Sequence, residues 1–93
     1  LQSALVWTIE LTSTATRQLA RLDKPVAQRI RTFLQQRVAP MENPRNIGQK
    51  LHGKTLSEFW RYRVGDYRII AEIEDDRLVV LVIEIGHRRE IDR

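Results

Sequence analysis

Ninety-three residues, 42% hydrophobic and 30% charged, are enough for one globular domain with a modest core and too few for two. The chain has no cysteine, which excludes disulfides, thiolate metal sites and cysteine nucleophiles and suits a reducing cytoplasm. The formal net charge is +4, carried mostly by arginine, with Lys24, Lys50 and Lys54 as the lysines; such an excess suits phosphate, nucleic acid or an acidic protein as well as a plain soluble surface. No run is long and apolar enough to span a membrane, and no basic-then-apolar leader opens the chain, so no membrane partner is expected. Residues 1–93 are read as one domain. Residues 1–4 are set aside as a remnant foreign to it, because the chain opens Leu1-Gln2-Ser3 in place of Met.

Leu5 to Leu11 alternates and is rich in β-branched and aromatic side chains, the pattern of a strand. Thr12-Ser13-Thr14 supplies a helix cap, and Ala15, Leu19 and Leu22 recur at helical spacing up to about Asp23. Asp23 or Lys24 caps a second helix with Pro25 in its first turn, where a missing N–H costs nothing. Val26, Ile30, Phe33, Leu34 and Val38 form its apolar stripe, and Pro40 ends it. The link between the helices is so short that they are expected to form an antiparallel hairpin. Residues 40–57 are turn-rich, with a short element at Gln49–Gly53 that is too brief to type.

Glu58–Val64 and Tyr67–Glu74 read as two strands joined by Gly65-Asp66. A Gly-first two-residue loop matches the strand twist through its positive φ. Val64 then pairs with Tyr67, and Arg63 lies opposite Arg68. Alternation places Arg61, Arg63 and Arg68 on one face, and Trp60, Tyr62, Val64, Tyr67, Ile69, Ala71 and Ile73 on the other. Like charges directly opposite each other weaken a sheet, so this pair calls for an anionic partner.

A third strand, Arg77–Ile85, follows an Asp75-Asp76 turn. With those two residues as the loop, Glu74 pairs with Arg77, Ile73 with Leu78 and Arg68 with Ile83. The strand is apolar on both faces and is expected to be central or covered on both sides. Its alternation carries His87 onto the face of Arg68. The order strand, helix, helix, strand, strand, strand is an α+β domain (β-α-α-β-β-β) with the helices packed on one face of the sheet. They are expected over Trp60, Tyr62, Ile69 and Val82. The other face presents Arg61, Arg63, Arg68 and His87 over a floor of Ile70, Leu81, Ile83 and Ile85.

A basic rim over an apolar floor suits a nucleotide cleft or a groove for an antagonist helix. RNA cleavage by 2′-hydroxyl attack needs a proton acceptor, a charge cluster for the pentavalent phosphate and a proton donor. The three arginines suit the charge role. His87, of a residue type that ordinarily titrates near neutrality, suits either proton role, with Arg88 and Arg89 beside it. Taken singly, each arginine is more often solvated or paired with a neighbour such as Glu72, and His87 is more often a surface residue. Their gathering is what points to function. His52 reads as a turn or packing residue, and Trp7 and Trp60 as core. No Gly-rich phosphate loop or nucleophile elbow is present, and two histidines without cysteine make no zinc site, so neither metal nor cofactor is expected.

Three runs, Lys50-Leu51-His52-Gly53, Trp60 to Ile69 and Val82 to Ile91, together resemble the RelE/ParE superfamily of bacterial toxins, the RelE branch most closely. The resemblance extends from about Val6 to the end of the chain. It implies the toxin of a type II toxin–antitoxin pair, a metal-independent, ribosome-dependent mRNA endoribonuclease that acts in the cytoplasm. It implies catalytic positions at Arg61, Arg63, Arg68 and Arg88, with His87 as a further candidate, and RNA contacts from Lys50, Lys54 and Arg89. It implies a cognate antitoxin as partner, with the pair binding operator DNA through the antitoxin.

One position departs from the RelE pattern. Asp92 stands where those members commonly carry a catalytic tyrosine. Aspartate cannot stack on a base, and it adds negative charge beside the scissile phosphate. An attenuated or inactive copy is therefore expected, by drift or by a deliberate substitution. The alternative is that Asp92 lies in a frayed tail and another residue, such as His87, does the work. Two other readings stay open: a ParE-like inhibitor of DNA gyrase that acts by binding, and an inactive toxin that serves only as an antitoxin-binding co-repressor.

Overall fold

The computed structural model describes residues 6–51 and 59–92. The first strand, β1, spans Thr8–Leu11 and is shorter than its alternation suggested. Val6 and Trp7 leave the ladder because both backbone N–H groups donate to the Ala39 carbonyl, at 3.1 and 2.9 Å. Trp7 is buried, and its Nε1 donates to the Glu42 carbonyl. The expected strand starts at Leu5 and Glu58, and the readings of His52 and Lys54, lie outside the described residues.

Helix α1, Ser13–Ala20, begins at Thr12, whose Oγ1 accepts from the Ala15 N–H at 3.1 Å. Helix α2, Lys24–Thr32, has Pro25 in its first turn and continues as a wider π-helical turn over Phe33–Val38. Ile30, Leu34 and Val38 are buried along the stripe the spacing defined. A short 3-10 turn at Pro44–Ile47 leads into β2, Gln49–Lys50. This edge strand is the element the sequence left untyped, and it pairs antiparallel with β3.

Strands β3 (Phe59–Val64), β4 (Tyr67–Glu74) and β5 (Val79–His87) complete a five-stranded sheet of order β1-β5-β4-β3-β2. Strand β5 is central between β4 and a parallel β1, as its two apolar faces require. The β3–β4 register is the expected one, with Val64 opposite Tyr67 and Arg63 opposite Arg68. Gly65 adopts φ 59° in the turn. This left-handed conformation is what favours glycine there; a Cβ would also approach Nη1 of Arg29 at 2.8 Å, a flexible side-chain end that can give way.

The β4–β5 register differs from expectation in two steps. Asp75–Leu78 form a four-residue loop, so Glu74 pairs with Val79 instead of Arg77, and Ile73 with Val80 instead of Leu78. Asp-Asp supplies no glycine for a tight primed turn, whereas the longer loop needs a left-handed residue only at Leu78, φ 52°. A bulge then leaves Ile83 between the pairs Ala71–Val82 and Ile70–Glu84. Its freed carbonyl accepts from Oγ1 of Thr12 at 3.0 Å, so one side chain serves both the helix cap and the bulge. Arg68 consequently faces Gly86, not Ile83. Ile85 turns from the expected outer floor into the core, and His87 moves to the face of Tyr67.

The helical hairpin covers the face bearing Tyr62, Ile69, Ala71, Val80, Val82 and Ile85, and Trp60 packs half-buried at its margin. Each fully buried Leu or Ile there contributes about 1.5–3 kcal/mol. The Tyr62 hydroxyl donates to the Pro44 carbonyl at 2.6 Å, and burial pushes its pKa up to about 12 against the opposing charge of Arg45. The opposite sheet face is left open to the arginines.

Candidate anion-binding site

Alternation along β3 and β4 delivers Arg61, Arg63 and Arg68 to the open face, with Arg61 opposite Ile70. The last element completes the arrangement. Helix α3, Arg88–Ile91, starts at His87, whose Nδ1 accepts from the Arg89 N–H at 3.1 Å. The His87 N–H donates to Oε1 of Glu90 at 3.2 Å, closing a capping box. The Arg88 N–H donates to the Asp66 carbonyl at 2.8 Å, tying α3 to the β3–β4 turn. Gly86 lets the helix fold back closely, since a Cβ there would lie 3.1 Å from Cδ1 of Ile91. The turn ends with the Asp92 N–H on the Arg88 carbonyl at 2.8 Å.

This return seats the Asp92 carboxylate between two guanidinium groups. Its Oδ1 accepts from Arg61 Nη1 and its Oδ2 from Arg68 Nε, each at 2.9 Å. Arg68 is buried and is braced by Nη1 donating to the carbonyls of Gly65 and Tyr67, both at 3.0 Å. Arg61 Nη2 donates to Oε1 of Gln49, while its buried Nε finds no partner among the described residues. Desolvation pushes the Asp92 pKa up, but the hydrogen bond from Arg68 and the charges of Arg61, Arg68 and Arg63 outweigh it. The net shift is downward, so the carboxyl is ionised at neutral pH. Two braced guanidinium groups converging on one oxyanion form a seat that fits a phosphate oxygen pair as well as a carboxylate.

The structure brings Arg61, Arg68 and Asp92 into contact, with Arg63 exposed beside them. Asp92 is hydrogen-bonded at both oxygens, unlike a frayed tail. Arg88 is exposed at the start of α3, with Nε 3.8 Å from Oδ1 of Asp66, and Arg89 is exposed next to it. Lys50 is exposed on the edge strand opposite Trp60, and Lys54 lies outside the described residues. His87 does not share the face of Arg68. It pairs with Tyr67, edge-on at 5.5 Å between ring centroids, and its Nδ1 is committed to the helix cap. Gln49 was missed by sequence reasoning. The signal was present: once residues 49–50 are read as a strand beside Trp60 and Arg61, Gln49 shares the face of Arg61.

A protein-family model described as the ParE toxin of type II toxin-antitoxin system, parDE, matches residues 9–92. No curated protein matches the chain in sequence. Among solved structures, the chain is similar to one in the RelBE2 toxin–antitoxin complex of Mycobacterium tuberculosis. That match has 25% identity and a TM-score of 0.79, and covers 90% of this chain and 93% of the other. It is also similar in fold to a chain of the archaeal RelE–RelB complex from Pyrococcus horikoshii, at 23% identity and TM-score 0.66, covering 90% and 97%. A chain of the intact E. coli RelBE complex matches at 23% identity and TM-score 0.67, covering 87% and 95%.

Proposed function

This chain belongs to the ParE toxin family of type II toxin–antitoxin systems, within the RelE/ParE superfamily, and from that premise we propose that it is built as a ribosome-dependent mRNA endoribonuclease. The observation that carries this reading is the seat in which Arg61 and Arg68 grip one oxyanion, with Arg63 alongside. In the reaction, the 2′-hydroxyl of a nucleotide loses its proton and attacks the adjacent phosphorus. The P–O5′ bond breaks, leaving a 2′,3′-cyclic phosphate and a 5′-hydroxyl that takes up a proton. Arg61 and Arg68 would stabilise the added negative charge on the phosphorus oxygens. Arg63 and Arg88 would hold the flanking phosphates, and Lys50, Lys54 and Arg89 the strand beyond. No step calls for a metal or cofactor, and the ribosome would supply the strand geometry that brings the 2′-hydroxyl in line.

Asp92 attenuates this copy. Its carboxylate holds the place a scissile phosphate would take, and being ionised it cannot serve as the proton donor. His87, committed at Nδ1 and turned toward Tyr67, does not replace it from its present position. The solved relatives in complexes named RelBE support an antitoxin as partner, and the pair would bind operator DNA through it. The toxin would act in the cytoplasm, on ribosomes carrying mRNA.

A second reading is favoured by the ParE description of the matched family: inhibition of DNA gyrase by binding. One experiment separates the two. Cleavage on programmed ribosomes is mapped by primer extension for the natural chain and for Asp92→Tyr. Cleavage by Asp92→Tyr, with little or none by the natural chain, is the expected result. Cleavage by neither form, together with gyrase-dependent DNA breaks in cells, would transfer the assignment to the second reading.

A further inference from the structure

Beside the seat lies a groove of about 360 Å³ that none of the roles above uses. It runs between the π-helical extension of α2 and the sheet edge, and Phe33, Arg37, Gly48, Gln49, Arg61 and Arg63 line it. Its volume falls within the range that holds a small organic ligand. Three of these side chains are arginines and none is acidic. Arg37 lies with Cζ 5.9 Å from the Phe33 ring centroid, and Phe33 is propped edge-on against buried Tyr62 at 5.8 Å. Arg37 is itself exposed, so a guanidinium held over an aromatic ring remains accessible to a ligand. Gly48 keeps the floor low, because a Cβ there would press to 3.0 Å on the Tyr62 ring.

The groove and the seat share one residue. Arg61 reaches Asp92 with Nη1, Gln49 with Nη2, and lines the groove as well. An anion held in the seat therefore lies one guanidinium away from a cavity lined by an exposed arginine over an aromatic ring. From this we infer that the groove is a nucleoside subsite, which takes the base next to the phosphate held by Arg61 and Arg68. The base stacks on Arg37, the exposed Arg63 meets the next phosphate, and the amide N–H donors of Gln49 face the base edge. Stacking on an arginine plane tolerates any base, which suits a strand-following subsite more than a sequence reader. The occupant is single-stranded RNA, since the charge is complementary and a duplex would hold its bases out of the groove. The inference rests on the nuclease reading for its ligand class, and its test is separate.

The probe is a fluorescein-labelled trinucleotide with 2′-O-methyl groups, which cannot be cut, titrated by anisotropy. It is applied to the natural chain and to Asp92→Asn, each with Arg37→Ala, Arg37→Lys or Arg31→Ala. Arg31 is also an exposed arginine on α2, but it lines a different groove. Arg37→Ala should weaken trinucleotide binding about tenfold, the scale of one lost stacked base. Arg37→Lys should fall nearly as far, because it keeps charge and loses the plane. Arg31→Ala should shift affinity less than about twofold, as one remote screened charge does. Inorganic phosphate, which needs only the seat, should bind equally well with or without Arg37. Equal effects of Arg37→Ala and Arg31→Ala, or no trinucleotide binding by either parent chain, would overturn the subsite. Arg37-dependent binding without any cleavage by Asp92→Tyr would sink the nuclease reading and leave the subsite standing.

Discussion

Two three-residue ion clusters in this molecule are built with opposite stoichiometry. At the open sheet face, one carboxylate, Asp92, lies between two arginines, Arg61 and Arg68. At the far end of the sheet, one arginine, Arg77, lies between two carboxylates, Glu10 and Glu74. The arginines of the first are sheltered: the Arg68 and Arg61 side chains are 8% and 15% exposed, against 27% for Asp92. In the second, the arginine itself is 58% exposed, with Glu10 at 42% and Glu74 at 25%. Water screens the second cluster, which neutralises its arginine and has no positive charge to offer a ligand. The first keeps a net positive charge around partly desolvated guanidinium groups, with the Arg61 Nε–H unmatched among the described residues. Fixed, dehydrated and under-neutralised cations are what an anion site requires. The contrast separates a site from a surface ion pair more sharply than counting arginines does.

The largest test of that contrast is Arg68→Ala. It removes the donors to the Gly65 and Tyr67 carbonyls and leaves Asp92 with Arg61 alone. A loss of about 1–3 kcal/mol in urea unfolding is expected, together with loss of phosphate binding. An unchanged midpoint would mean that the inner cluster is no better fixed than the outer one.

Next in size is Asp92→Asn, which empties the seat of its own charge. Affinity for inorganic phosphate, read by calorimetry, should rise roughly fivefold, the scale of one partly screened charge pair. The same substitution tests the acid limb of stability. The folded-state pKa of Asp92 lies below its ordinary value, so its contribution is complete above the unfolded value and is lost as pH falls through the folded one. The natural chain should therefore lose more stability than Asp92→Asn as pH drops through and below the ordinary aspartate range. Parallel acid limbs for the two proteins would show that the seat is not electrostatically coupled to folding.

The smallest effect is expected at Arg77→Ala. The urea midpoint and phosphate affinity should both match the natural chain within error. A measurable loss at Arg77 would erase the distinction between the clusters.

Much of this architecture was legible in the sequence wherever local rules act alone. The Gly65-Asp66 loop set the β3–β4 register, and the register put Arg61, Arg63 and Arg68 on one face. Thr12 and Pro25 announced both helix starts, and the apolar run of β5 announced its central place. The errors cluster at the β4–β5 hairpin. There the sequence offered Asp75-Asp76 as a tight turn, and the chain instead takes four residues and a left-handed Leu78. The bulge at Ile83 is invisible locally, because its carbonyl is satisfied by Thr12, a residue far away in the chain.

The amino-acid sequence by itself determined the element order, the arginine-bearing face and the anomaly at Asp92, because alternation, capping and turn chemistry depend on neighbours in the chain. Only the tertiary structure decided where the termini of those elements meet. It turned His87 toward Tyr67, paired the 49–50 segment with β3 so that Gln49 meets Arg61, and folded α3 back so that Asp92 bridges Arg61 and Arg68. These are contacts between groups 12 to 31 residues apart, or consequences of one extra residue in a ladder. They are settled by which hydrogen bonds and charges the packed chain can satisfy together, and no local pattern carries that information.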